Sequence, residues 1–149
     1  LQISSNECCF LFRLNMTGLT PSLIGLLENP EVIKVGLSLR DDFMMLHKRA
    51  PFTQQGCVEL QDYVRPFGIL DKSLQKIYGI LFKEKISKSQ RLSNWEADVL
   101  TDAQKQYAAT DAWACLHIYN LLEELKHTGN FEIEETPVAI EDEQGTRPL

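Results

Sequence analysis

No apolar run in this chain approaches the roughly 18 residues that a membrane-spanning helix needs, so a membrane span is not expected. The first residues lack the basic-then-apolar order of a secretory leader. Only four cysteines occur (Cys8, Cys9, Cys57 and Cys115), with no Cys-x-x-Cys pair and no zinc spacing. Reduced thiols and a cytoplasmic location are the expectation from that pattern. Adjacent Cys8 and Cys9 in a strand-like run point to opposite faces, which suits packing better than metal binding. There is no glycine-rich phosphate loop, no His-Glu-x-x-His, no internal repeat and no Ser-His-Asp arrangement with supporting context. His47, His117 and His127 lie on or beside helical runs without partner spacing, and read as surface or core histidines.

Excess positive charge is also missing. The formal net charge is −6 over 149 residues, which argues against a generic nucleic-acid binder. The acids are unevenly spread, however. Six of them and one Arg fall after residue 130, leaving 15 acids against 14 bases in the rest. Within that near-neutral part, Lys83, Lys85, Lys88 and Arg91 form a local basic stretch able to meet phosphates. On composition alone, an ordinary solvated loop explains them equally.

With 44% hydrophobic and 24% charged residues, the chain has the material for one globular domain and one core. Residues 1–4 and 8–14 read as two strands, joined by the turn residues Ser5-Asn6-Glu7 into a hairpin. Thr20-Pro21 opens a helix that Asn29-Pro30 closes. Residues 32–39 read as a third strand, with Asp41 and Asp42 following its carboxyl end. That is a usual place for chemistry in open α/β sheets, although either Asp could simply cap the next helix. The helix after it stops before Pro51. Residues 58–60 suggest a fourth strand whose Glu59 either faces the same site or is exposed. Residues 73–82 are helical, and 83–100 are irregular. Trp95 in that irregular segment could stack on a base, or anchor the loop to the core.

The most convincing helix starts at Thr101, where Thr101 and Gln104 have capping-box spacing. It ends near Lys126-His127-Thr128-Gly129. Tyr107 and Asp111 are one turn apart on it, about 6 Å along the axis. Their face continues through Cys115, Ile118 and Leu122, so Asp111 is a carboxylate on a stripe that should be buried. It must pair with a nearby base or hold a metal. Residues 129–149 are acidic, contain two prolines (Pro137 and Pro148), and read as a flexible tail with one extended piece at 131–133.

Taken together, these pieces resemble one family. Lys34-Val35-Gly36, then Asp42 six residues after the Gly, then Leu46, is similar to the second motif of the DEDD-type 3′–5′ exonucleases. Tyr107-Ala108-Ala109-Thr110-Asp111-Ala112 is similar to the third motif of the Tyr-containing subclass. Ser93-Asn94-Trp95 and Val58-Glu59-Leu60 also resemble the Werner-syndrome-helicase exonuclease domain and its ribonuclease D-like relatives. The resemblance runs from residue 1 to about residue 126, and residues 1–128 are expected to form an exonuclease-like domain. It implies an α/β, ribonuclease-H-like mixed sheet flanked by helices. It also implies two divalent metal ions, Mg²⁺ or Mn²⁺, that assist hydrolysis of phosphodiester bonds from the 3′ end of DNA or RNA.

In that reading Asp111 is a direct metal ligand, Asp42 holds the second metal directly or through water, and Tyr107 positions the attacking water and helps remove its proton. Lys88, Arg91, Asn94 and Trp95 are candidate substrate contacts. Asp41 is one residue off the motif spacing and is left out. The family's first motif, Asp-x-Glu on a central strand, is not present, so the sequence is expected to be part of a longer polypeptide and inactive alone. The alternative is a catalytically inactive ribonuclease-H-like module that binds nucleic acid or a partner protein. Intact mass and N-terminal sequencing of the natural protein check the expectation of a longer chain; a mass of 17.0 kDa would contradict it.

Overall fold

The computed structural model describes residues 1–129. The expected tail, including the extended piece at 131–133, lies outside the described residues. The first hairpin forms as expected. β1 (Gln2–Ser4) pairs antiparallel with β2 (Cys9–Leu11), Gln2 opposite Leu11 and Ser4 opposite Cys9. Ser5 closes the turn: its N–H donates to the Cys8 carbonyl (2.9 Å), and its Oγ accepts from the N–H groups of Glu7 and Cys8. Such local side-chain bonding is what makes serine a turn residue.

The second strand is shorter than the apolar run 8–14. It ends at Leu11, and the chain makes a helical turn, α1 (Leu14–Thr17). Arg13 sits at this change of direction. Its guanidinium donates to the carbonyls of Asp98 (2.8 Å), Trp95 (3.2 Å) and Ala97 (2.6 Å), tying the hairpin to the segment before the long helix. α2 (Pro21–Glu28) follows, with the Thr20 side chain accepting from the Leu23 N–H and with Pro in the first turn. Leu23 and Leu27 are its buried face.

The third strand is also shorter than its sequence pattern. β3 spans Lys34–Gly36, and α3 (Leu39–His47) begins where the strand was expected to continue. The break is at Ser38, whose left-handed backbone (φ 58°, ψ 40°) turns the chain out of the strand. Asp41 and Asp42 therefore lie in the first turn of α3, where negative charge suits the helix dipole. Neither of them is the N-cap. Gly36 is a position of close approach, since a Cβ there would collide with the Leu39 side chain. β4 (Cys57–Glu59) pairs parallel with β3, Lys34 opposite Cys57 and Gly36 opposite Glu59, with α3 in the crossover.

Two short helical pieces not legible in the sequence follow β4 directly: α4 (Leu60–Tyr63) and a 3-10 turn (Arg65–Phe67). α5 spans Leu74–Phe82 and is capped by Ser73. α6 runs from Asp102 to Thr128, begins with the expected capping box and ends at Gly129 in the left-handed conformation. It is about 40 Å long.

Among the described residues the strands form two separate pairs, β1-β2 and β3-β4, so the expected mixed sheet is present as two pieces. No ladder joins β1 to β3. α6 packs against β1, β2, β3 and α5, and is the element common to both pieces. The main core lies beneath it, where Leu60, Val64, Ile69, Ile77, Ile118 and Leu122 are fully buried. A smaller cluster of Leu27, Phe43 and Leu46 packs α2 against α3.

Gln104 is the one buried polar residue among those described. Its Oε1 accepts from the Thr101 N–H (2.9 Å), while its Nε2 donates to Ser93 Oγ and the Asn94 carbonyl, both at 3.0 Å. One amide thus caps α6 and holds the preceding loop. Gln104→Ala should lower unfolding free energy by about 1–3 kcal/mol, because buried partners lose their bonds. Urea denaturation checks this: the midpoint falls with unchanged slope, whereas an unaltered midpoint would show that the capping link carries no stability.

Candidate active site

Tyr107 and Asp111 stand one turn apart on α6, and each is only partly exposed. One carboxylate oxygen of Asp111, Oδ1, is buried with no hydrogen-bond partner. No Lys or Arg forms an ion pair with Asp111 among the described residues; the pairs formed there are Lys105–Asp102 and Lys126–Glu123. The structural explanation available from the sequence, a carboxylate neutralised by a neighbouring base, is therefore not what the fold provides. Burial pushes the Asp111 carboxyl above its ordinary value.

Asp42 comes from α3 and is reached from the other sheet piece. Its carboxyl is also raised, first by desolvation against the protein and then by Asp41 and Glu59. Cys115 is buried on the same helix as Asp111. Its thiol, one turn beyond Asp111, is pushed up to about 12 by burial first, then by Asp111, Glu59 and Asp42. Three carboxylates from α6, β4 and α3 thus act on one buried sulfur.

A buried carboxylate oxygen with no partner is the kind of donor that a hard divalent cation prefers. Among the described residues no group of three His, Cys, Asp or Glu side chains closes into a full ligand set.

Glu59 has a different task from either reading of the sequence. Its two oxygens accept from the N–H groups of Ser38 (2.9 Å) and Leu39 (2.7 Å), at the start of α3. Asp41 lies exposed beside Asp42 and adds to its raised carboxyl.

The Tyr107 phenol is raised by burial and then by Asp111, with Arg91 opposing. It is therefore a neutral phenol near pH 7. Its ring lies 5.9 Å from that of Trp95 at 43°. Trp95 Nε1 donates to the Arg91 carbonyl (3.2 Å), and the Trp95 carbonyl is one of those held by Arg13. Trp95 thus anchors its loop and backs Tyr107 at once. Lys88 and Arg91 are exposed. Asn94 Oδ1 accepts from the Glu96 N–H, a local turn contact. Two surface hollows, about 300 and 280 Å³, lie nearby: one is lined by Leu11, Arg13 and Met16, the other by residues 4–9 and Gln106. Neither contains Asp42, Tyr107 or Asp111.

The orphaned oxygen has a cost in the metal-free protein. A carboxyl raised by folding favours the folded state only while protonated. That contribution is full below its ordinary value of 3.8 and is lost as pH rises through the higher folded value. Asp111→Asn should therefore raise the metal-free thermal midpoint at pH 7 by roughly 2–6 °C, with the gain shrinking toward pH 3. Calorimetry on both proteins measures it; a variant less stable than wild type at pH 7 would mean that Asp111 has a partner in solution.

A profile of the 3′–5′ exonuclease family matches residues 1–126. Exonuclease 3′-5′ domain-containing protein 2 of Drosophila melanogaster is 35% identical over 126 residues, covering 82% of this chain and 22% of the fly protein. The bifunctional 3′-5′ exonuclease/ATP-dependent helicase WRN of Mus musculus is 34% identical over 132 residues, covering 83% of this chain and 9% of the mouse protein. Ribonuclease D of Haemophilus influenzae is 30% identical over 111 residues, with 74% of this chain and 28% of that protein covered. The chain thus spans less than a third of each of these relatives.

Among solved structures, Brucella melitensis NrnC bound to pGG matches with a TM-score of 0.61 at 26% identity, covering 75% of this chain and 55% of that one. The Nibbler EXO domain of Aedes aegypti matches in fold, with a TM-score of 0.68 at 22% identity over 85% of this chain and 70% of that one. The two sheet pieces and their helices are thus a ribonuclease-H-like α/β fold, and the chain belongs to the 3′–5′ exonuclease family.

Proposed function

We propose that this chain carries part of the active site of a metal-dependent exonuclease that hydrolyses phosphodiester bonds from the 3′ end of DNA or RNA. The observation that carries this reading is the buried, partnerless Oδ1 of Asp111, one turn from Tyr107. A binding module has no use for an uncompensated carboxylate beneath its surface, whereas a cation would neutralise it. Family membership and the resemblance of the motifs around Asp42 and Asp111 support the same reading.

Asp42 and Asp111 would hold the divalent ions, Mg²⁺ or Mn²⁺, with water and substrate oxygens filling further positions. Two bound ions would stabilise the charge that collects on the attacking and leaving oxygens of a phosphodiester. The activity is proposed for the full-length protein, to which this chain contributes Asp42 and Asp111.

Tyr107 orients the attacking water through its hydroxyl. Its raised pKa makes the phenolate scarce at neutral pH, which favours positioning over proton removal. Trp95 keeps the phenol from swinging away, since its ring lies against that of Tyr107. Lys88 and Arg91, exposed on the loop before it, are suited to phosphate contact. Asn94 contributes by holding the turn that presents Trp95. The partner is a nucleic-acid 3′ end. NrnC, a structural relative, is described bound to pGG. No helix among the described residues is long and apolar enough to cross a membrane. The four unpaired thiols suit a reducing cytoplasm.

The test is the shortening of a 5′-labelled oligonucleotide by the full-length protein in Mn²⁺. Wild type should give a ladder, and Asp111→Ala none. Tyr107→Phe should lower kcat roughly 10–100-fold while KM stays within about threefold, as expected when only the attacking water loses its orientation. A wild-type ladder that survives Asp111→Ala would contradict the proposal.

A further inference from the structure

The corner between β3 and α3 is built from a strained residue and a remote carboxylate. Ser38 adopts φ 58° and ψ 40°, a left-handed conformation that is unfavourable for a residue with a Cβ. A residue at that position often caps its helix with its own side chain. The Ser38 hydroxyl makes no such bond to α3. The oxygen instead accepts from Gln61 Nε2 at 3.2 Å, and the same Nε2 donates to the Lys72 carbonyl at 3.0 Å.

The cap comes from the end of the neighbouring strand. Glu59 Oε1 accepts from the Ser38 N–H (2.9 Å) and the Gln61 N–H (3.2 Å), and Oε2 accepts from the Leu39 N–H (2.7 Å). One carboxylate therefore ties together the start of α3 and the start of α4, and both of its oxygens are committed to backbone donors.

Resting on the reading of Asp42 as a metal ligand, we propose that Glu59 is a positioning residue: its two-oxygen grip on the Ser38 and Leu39 amides sets the start of α3, and so the direction in which Asp42 is presented. Asp42 lies only three residues beyond Leu39, within the first turn. A small rotation of that turn is transmitted to its carboxylate almost undiminished. Without the grip, only the bond from Gln61 Nε2 to the Ser38 hydroxyl holds that residue, and the turn is freer to relax. Three backbone amides occupy most of the lone pairs of Glu59, and its part in the proposal is to act through Asp42.

The experiment compares wild type, Glu59→Gln, Glu59→Asp and Asp42→Asn in the full-length protein. It measures kcat and KM on a single-stranded oligonucleotide in Mn²⁺, and amide hydrogen exchange at Ser38 and Leu39 without metal. Glu59→Gln should lower kcat about tenfold with KM within roughly twofold, because the reacting groups are misplaced while strand binding is not. Exchange at Ser38 and Leu39 should quicken in parallel. Glu59→Asp, which keeps the charge but shortens the reach, should fall between the two on both measures. If Glu59→Gln fails to fold, Glu59→Asp carries the test by the same two readings.

Wild-type kcat despite faster exchange would overturn the proposal, as would a lost kcat with exchange unchanged, since Glu59 would then act directly. A wild type that digests nothing, or an Asp42→Asn variant as fast as wild type, would instead remove the reading of Asp42 on which the proposal rests.

Discussion

One helix holds this structure together. α6 lies against both strand pairs and against α5, and its buried side carries Ala114, Cys115, Ile118 and Leu122. Fully burying a side chain such as Ile118 or Leu122 is worth about 1.5–3 kcal/mol. Several such residues keep the helix fixed across two sheet pieces that share no ladder. Asp111 is on the same helix, at the edge of that apolar stripe. The packing that secures the fold is therefore what holds the carboxylate in a place where it has no partner. Stability and chemistry are in tension at this one residue, as is common where a site is preorganised for a ligand.

The groups around Asp111 are tied to elements far away in sequence. Arg13, at the end of the first hairpin, holds three carbonyls of the segment carrying Trp95. Gln104 holds the same loop from the first turn of α6. Trp95 in turn lies against Tyr107. Glu59 likewise links β4 to the first turn of α3, which carries Asp42. Tyr107 and the turn carrying Asp42 thus each rest on a second residue that is bonded to backbone groups. Such contacts are directional and short, and they suit a site in which misplacement by about 1 Å is costly.

Much of this was legible in the sequence. The capping box at Thr101 and Gln104, the hairpin, the helix after Thr20 and the one-turn spacing of Tyr107 and Asp111 all depend on neighbours within a few residues, and all are found. The strand over residues 32–39 was read too long, because its end is set by Ser38 and by Glu59, some twenty residues away. Hydrophobic pattern continues through Leu37 and Leu39 and carries no trace of that contact. For the same reason the sequence does not reveal that Glu59 caps the helix of another element. Arg13 gave a signal that passed unread: a single base inside the apolar run Phe10-Leu11-Phe12-Arg13-Leu14 needs acceptors, and three carbonyls supply them. The motifs around Asp42 and Asp111 were recognised by resemblance, since periodicity alone could not choose between a paired and a ligating carboxylate.

The central claim is that Asp42 and Asp111 hold divalent ions between them. Crystals of the full-length protein grown with Mn²⁺ test it most directly, through the anomalous scattering of manganese. The account predicts anomalous peaks in contact with carboxylate oxygens of both Asp42 and Asp111, including the oxygen that has no partner in the metal-free fold. Saturating Mn²⁺ with no peak at either residue, or the two carboxylates turned to different surfaces of the molecule, would contradict it.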